Sequence, residues 1–194
     1  MLSFAVEVQQ NTSLMNAEKD RLRQLILSQF DVNSARSGLL IQRPRPVFIH
    51  YAVALSDWYA ISWGPDREPG LHDTGVLSLH RITPDYRESV DVPYVPKAEI
   101  LSALTASVDA FHRQWNYCTR GWNCEHWARL VVCGVPRSYQ TKQAWFSLAV
   151  MTGGHFDNPD ASHRLDTFKS RLSAGTAVAN GSDLPQVPET SDLK

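Results

Sequence analysis

Apolar residues along this chain follow two rhythms, one helical and one strand-like, and the change from one to the other marks its elements. Between residues 16 and 30, Leu22, Leu25, Ile26 and Phe30 fall on one helical face, with Glu18, Lys19, Arg21 and Arg23 elsewhere. Residues 1–13 read as a short, strand-like start. The next part is β-rich. Residues 38–41 begin a strand that Arg43-Pro44-Arg45-Pro46 breaks. Residues 47–55 form a second strand, Ser56-Asp57 a turn, and residues 58–63 the partner strand of a hairpin. Residues 64–73 are a Gly-, Pro- and Asp-rich loop, and residues 75–82 a further strand. Residues 83–96 carry three prolines and read as loop with one short edge strand.

The helical rhythm then returns. Ile100, Leu101, Leu104, Val108, Phe111 and Trp115 define a helix over residues 97–115. A shorter helix over 124–132 is stopped by Gly134 and Pro136. Residues 138–152 and 160–172 read as helices too. The whole predicts an α+β fold, a small antiparallel sheet packed against helices. It divides into an N-terminal extension with one amphipathic helix (1–37), a main domain (38–152), a C-terminal helix (153–172) and a disordered tail (173–194). The tail follows from its Gly, Ala, Ser, Pro and acidic residues, which cannot bury enough apolar surface to order it.

Composition narrows the partners. With 194 residues and 43% hydrophobic content, the chain can build a real core. A formal net charge of −1 gives no electrostatic reason to expect nucleic acid. Three cysteines, an odd count without framework spacing, predict reduced thiols and a cytoplasmic setting. The N-terminus lacks the basic start and apolar stretch of a signal peptide. No apolar run approaches the ~20 residues of a membrane helix, so an integral membrane segment is not expected. Peripheral membrane contact stays open.

One residue stands where chemistry is easy. Asn123 is a good helix N-cap, which puts Cys124 in the first turn, where the helix dipole favours thiolate. Cys124 also shares an inward face with Trp127, Ala128, Val131 and Val132, and such a cysteine can equally be a small buried hydrophobe. Glu125 and Arg129, four apart, can pair on another face. A nucleophilic thiol needs a base. His50, in the 47–55 strand, is the leading candidate, because imidazole can take a thiol proton and return it to a leaving group. A satisfied strand histidine is the alternative. His126 lies across the helix from Cys124 and suits a structural role. Cys118, Cys124, His126 and Cys133 cluster, but their spacing is not that of a zinc site, and neither a metal nor another cofactor is expected.

The run Asn123-Cys124-Glu125-His126-Trp127-Ala128, followed by Gly134-Val135-Pro136-Arg137-Ser138-Tyr139-Gln140, resembles the NCEHF motif and downstream Gly…Arg-Ser-x-Gln of the lecithin:retinol acyltransferase-like family. His50-Tyr51-Ala52-Val53-Ala54-Leu55, with Leu39-Leu40-Ile41 and Arg45-Pro46 before it, is similar to that family's His-bearing strand and first strand. The resemblance covers roughly residues 38–143 and implies a circularly permuted, NlpC-type papain-like domain. It implies that Cys124 attacks an ester or amide carbonyl to give a thioester acyl-enzyme. His50 would be general base and then acid, and the Cys124 amide an oxyanion donor. The family's third polar residue, often a histidine, falls on Ser62, which holds an imidazole tautomer less firmly. The implied partner is an acyl donor, phospholipid among the options. The alternatives are a cysteine peptidase or amidase, and a catalytically weak binding module of the same fold.

Overall fold

Strands formed by the β-rich middle of the chain pair largely in the order in which they occur. The computed structural model describes residues 2–46, 48–66, 73–90, 92–118, 122–140, 166, 168–170 and 172. Its elements are α1 (Leu2–Gln29), β1 (Leu40–Pro44), β2 (Ile49–Ala54), β3 (Tyr59–Pro65), β4 (Asp73–Arg81), β5 (Arg87–Glu88), α2 (Lys97–Phe111), β6 (Asn116–Tyr117) and α3 (Cys124–Cys133). The strands form one curled antiparallel sheet in the order β5-β1-β2-β3-β4-β6. With its helices this is an α+β fold, as the pattern predicts.

Residue size sorts the two sheet faces. Tyr51, Val53, Leu55, Ile61, Trp63 and Leu77 share the main core with α2 and α3. Ala52, Ala54 and Ala60, with Ile41 and Tyr86, fill the other face. Strand alternation sends successive side chains to opposite faces. Small residues on one face leave room for the sheet to curl toward it. Ile61, Trp63, Leu104, Phe111 and Trp127 are fully buried, each worth roughly 1.5–3 kcal/mol of apolar burial before entropy is counted.

β1 runs through Pro44, two residues into the stretch expected to break it, and pairs Pro44 with Ile49. Arg45 N donates to Phe48 O at 2.8 Å. In an antiparallel ladder, backbone groups alternate between facing the partner strand and facing away. At the next pair they face away, so the N–H that proline lacks is not needed there.

The N-terminus departs from expectation. Residues 2–13 are helical, not strand-like, because α1 begins at Leu2. No glycine or proline interrupts residues 2–13, so the amphipathic helix further on propagates back through them. Leu22, Ile26 and Phe30 enter the main core. Leu25 lies off that face and is 38% exposed. Arg23 pairs with Asp109 of α2, and Glu18 lies 3.2 Å from Arg113. The N-terminal helix is therefore built onto the same core as the sheet.

α2 stops at Phe111, short of the predicted Trp115. Its end is made by Arg113 at φ 55, whose N–H donates to Gly75 O at 2.8 Å. Trp115 still stacks on Phe111, ring centroids 4.8 Å apart. α3 follows expectation. The Asn123 side chain accepts from Glu125 N at 3.0 Å and His126 N at 3.3 Å, and Gly134 closes the helix at φ 70. The predicted 138–152 helix lies largely outside the described residues, and the 173–194 tail wholly so. Of the 160–172 helix, residues 166, 168–170 and 172 are described and helical, and Phe168 is buried against Phe111. Among the described residues, no helix is long and apolar enough to cross a membrane.

At Gly75, β4 passes close against the fully buried Trp63 ring. A Cβ added there would overlap the Trp63 indole. Gly75→Ala should therefore destabilise the fold by about 1–3 kcal/mol. Urea denaturation would read this as a lowered midpoint, and an unchanged midpoint would contradict the packing of Trp63 under β4.

Candidate functional site

Two elements converge on Cys124. α3 begins at this residue, and its packing on β2 brings the sulfur to the start of that strand. Sγ lies 4.0 Å from the Ile49 carbonyl oxygen. The backbone amides of Tyr51 and Glu125 and the Tyr117 hydroxyl are its other polar neighbours. The residue is 1% exposed. Burial pushes the thiol up from its usual range, the Glu125 charge adds to the rise, and those three donors only partly oppose it. The helix dipole alone would favour thiolate, but the desolvation of a buried sulfur outweighs it. The resting group is a neutral thiol.

His50 follows Ile49 directly. Ile49 and Tyr51 turn to the α3 side of the sheet, and alternation turns His50 to the other. Its ring lies 6.1 Å from that of His80. Among the described residues no hydrogen bond joins His50 to Cys124. The two meet through the Ile49 backbone instead. His50 is lowered to about 4, first by burial and then by His80, Arg45 and Arg43. It is neutral at physiological pH and able to accept a proton.

Ser62 is buried on β3 opposite Ser78 of β4, and among the described residues it makes no hydrogen bond to His50. The ring neighbour of His50 is His80, whose Nε2 lies 2.9 Å from the Tyr86 hydroxyl. Arg43 stands over the Tyr86 ring and pairs with Asp85. The sequence gives no spacing that ties His80 to His50. The sign that could have found it is parity: Ser62, Ser78 and His80 stand on one face of the β3–β4 pair.

Tyr117 is the second residue that pattern reading passes over. It comes from β6, a two-residue strand at the β4 edge. Its phenol is pushed well above the usual range by burial and by the neighbouring Cys124, so it remains a donor toward sulfur. Trp63 packs on it, ring centroids 5.2 Å apart.

His126 has the structural role its helix position suggests. Its Nδ1 lies 3.4 Å from Asn123 N and completes a capping box. Glu125 and Arg129 pair at 3.0 Å, as their spacing predicts. Glu125 is fully buried and also accepts from Ser138 Oγ at 2.8 Å and Gln140 N at 3.2 Å. Among the described residues no group of three or more His, Cys, Asp or Glu is arranged to hold a metal.

The histidines give the fold a pH dependence. His50 and His126 each fall from 6.5 to about 4, with burial the main cause. The folded-state value lies below the unfolded one, so the stabilising contribution is complete above pH ~6.5 and is lost as pH falls toward ~4. Urea midpoints should drop across this window. His126→Gln, which can still accept from the Asn123 amide, should flatten part of the drop. A midpoint constant from pH 7 to 4 would contradict the burial of both rings.

Comparison of the chain with family models and with curated proteins gives no match.

Proposed function

We propose that this chain catalyses cysteine-dependent acyl transfer or hydrolysis through a thioester acyl-enzyme. The observation that supports the reading is the position of Cys124. It sits at a capped helix start, 4.0 Å from the backbone of the strand that carries His50. The reading has further support from the sequence resemblance, which assigns the same two residues.

The chemistry follows from two neutral groups. Neither a free thiolate nor an imidazolium exists at rest, so proton transfer accompanies attack. Sγ bonds to the ester carbonyl carbon while its proton passes to His50. The C–O bond then breaks, and His50 returns the proton to the leaving alkoxide. Water or an alcohol acceptor completes the cycle by the same route. For this the His50 ring must turn toward Sγ at the open end of β2, where the ladder to β3 is confined to Val53 and Ala54. Tyr117 and the first amides of α3 are the donors available to a developing oxyanion. Ser62 or His80 would steady the base. The acyl donor is an ester such as a phospholipid, met by peripheral contact with a membrane in the cytoplasm and without nucleic acid.

A second reading, a binding module that turns nothing over, is favoured by one observation: Cys124 is 1% exposed while the His50 ring faces His80. Intact mass after incubation with an activated ester separates the two. A single acyl adduct on Cys124 supports the enzyme; no adduct at any pH between 6 and 9 supports the module.

A further inference from the structure

The start of β2 is a half-buried end in need of partners. Arg45 N and Phe48 O bond across the β1–β2 ladder, so the Ile49 N–H and C=O point away from β1. On that side β3 pairs with β2 only at Val53 and Ala54. A part-buried N–H and C=O left without partners here would weigh against this end of the strand. The Gln140 side chain fills the place. Its Oε1 accepts from Ile49 N at 2.6 Å, and its Nε2 donates to Ile49 O at 2.8 Å. One carboxamide thus does the work of a strand residue.

Gln140 is itself held. Its backbone N–H donates to Glu125 Oε2, which also receives Ser138 Oγ, and Asn123 Nδ2 donates to Ser138 Oγ at 3.4 Å. A continuous chain of hydrogen bonds therefore runs from the N-cap of α3, through Ser138 and Glu125, to Gln140 and Ile49. It ties the residue before Cys124 to the residue before His50. The Ile49 carbonyl that Gln140 binds is the same oxygen that Sγ faces at 4.0 Å.

We infer that Gln140 is a positioning residue for the Cys124–His50 pair, fixing the height of β2 against the thiol. The inference rests on the acyl-transfer reading for its catalytic meaning. Its physical content, that Gln140 sets the surroundings of the Cys124 sulfur, is measurable without turnover.

The test uses the full chain with Gln140→Met, which keeps length and loses both bonds, and Gln140→Asn, which keeps the amide but is too short to make both. Two readouts are taken on variants whose circular dichroism matches the parent. The first is the pH profile of Cys124 alkylation by iodoacetamide, followed by peptide mass. The second is kcat against KM on an activated ester. Both variants should move the alkylation midpoint downward, toward that of an exposed thiol, and lower kcat by about 10- to 100-fold with KM nearly unchanged. A residue that only stabilised the fold would lower the urea midpoint and leave the alkylation profile in place. Alkylation profiles of both folded variants superimposable on the parent would overturn the inference. If the parent forms no acyl adduct, the acyl-transfer reading fails by itself, and the alkylation profiles still decide whether Gln140 positions the thiol. If Gln140→Met does not fold, Gln140→Asn carries the same comparison.

Discussion

Cys124→Ala is expected to abolish the acyl adduct and to lower turnover of an activated ester by about 10⁴-fold or more, with the fold retained. Removing a nucleophile takes away the covalent route and leaves only substrate binding and oxyanion donors. Stability should change little by comparison. Sγ is one buried atom, and its loss leaves a cavity smaller than a methylene deletion usually opens, costing about 1 kcal/mol. The pH dependence gives an internal control. Because burial raises the Cys124 thiol, the parent's iodoacetamide reaction should be slow at pH 7 and still climbing past pH 9. Because His50 is neutral above about 4, the acyl-transfer rate should instead be supported across neutral pH. A Cys124→Ala protein that retains the adduct, or turns over the ester within about tenfold of the parent, would remove Cys124 from the mechanism.

Much of this architecture is legible in the sequence, because it is written in local rules. Asn123 and Gly134 bound α3 by capping chemistry, and Ser56-Asp57 turns the β2–β3 hairpin between alternating apolar runs. Ala52, Ala54 and Ala60 against Val53 and Ile61 show two strand faces of different size. What is not legible depends on distant partners. β6 is two residues long and exists because Asp73 and Thr74 offer an edge. Residues 2–13 are helical because nothing in them breaks a helix started elsewhere. The site divides in the same way. The Cys124 position follows from the cap. Its raised thiol pKa does not, since it reflects burial beside Tyr51 and Tyr117, which come from β2 and β6. The face on which His50 stands is a parity question. It is settled by whether Tyr51 or Ala52 packs on α3, and the alternating run alone is silent on that. His80 reaches His50 through sheet curl, which a linear pattern does not encode.

Glu125→Ala is expected to destabilise the protein by about 3–5 kcal/mol, the largest loss among single substitutions near the site. The carboxylate is fully buried and holds three donors at once: Arg129 Nε at 3.0 Å, Ser138 Oγ at 2.8 Å and Gln140 N at 3.2 Å. Alanine leaves the Arg129 guanidinium without its counter-charge in a site where only 7% of that side chain is exposed. It also strands two further donors, each a desolvation cost without a bond in return. A double-mutant cycle with Arg129→Met isolates the origin of the loss. If the unpaired cation dominates, Glu125→Ala/Arg129→Met will be more stable than Glu125→Ala alone, since the second change removes the buried charge and keeps apolar contact with Tyr51 and Tyr139. If the stranded Ser138 and Gln140 donors dominate, the double variant will be no more stable than Glu125→Ala. The two outcomes carry different meanings for the site. In the first, Glu125 is mainly a partner for Arg129 and the Gln140 bonds to Ile49 survive. In the second, the same substitution that weakens the fold also frees the start of β2, and Cys124 alkylation accelerates in step with the loss of stability. Urea denaturation and alkylation measured on the same four proteins distinguish them. A Glu125→Ala cost below about 1 kcal/mol would mean that water reaches the carboxylate and that the network is not the closed one described.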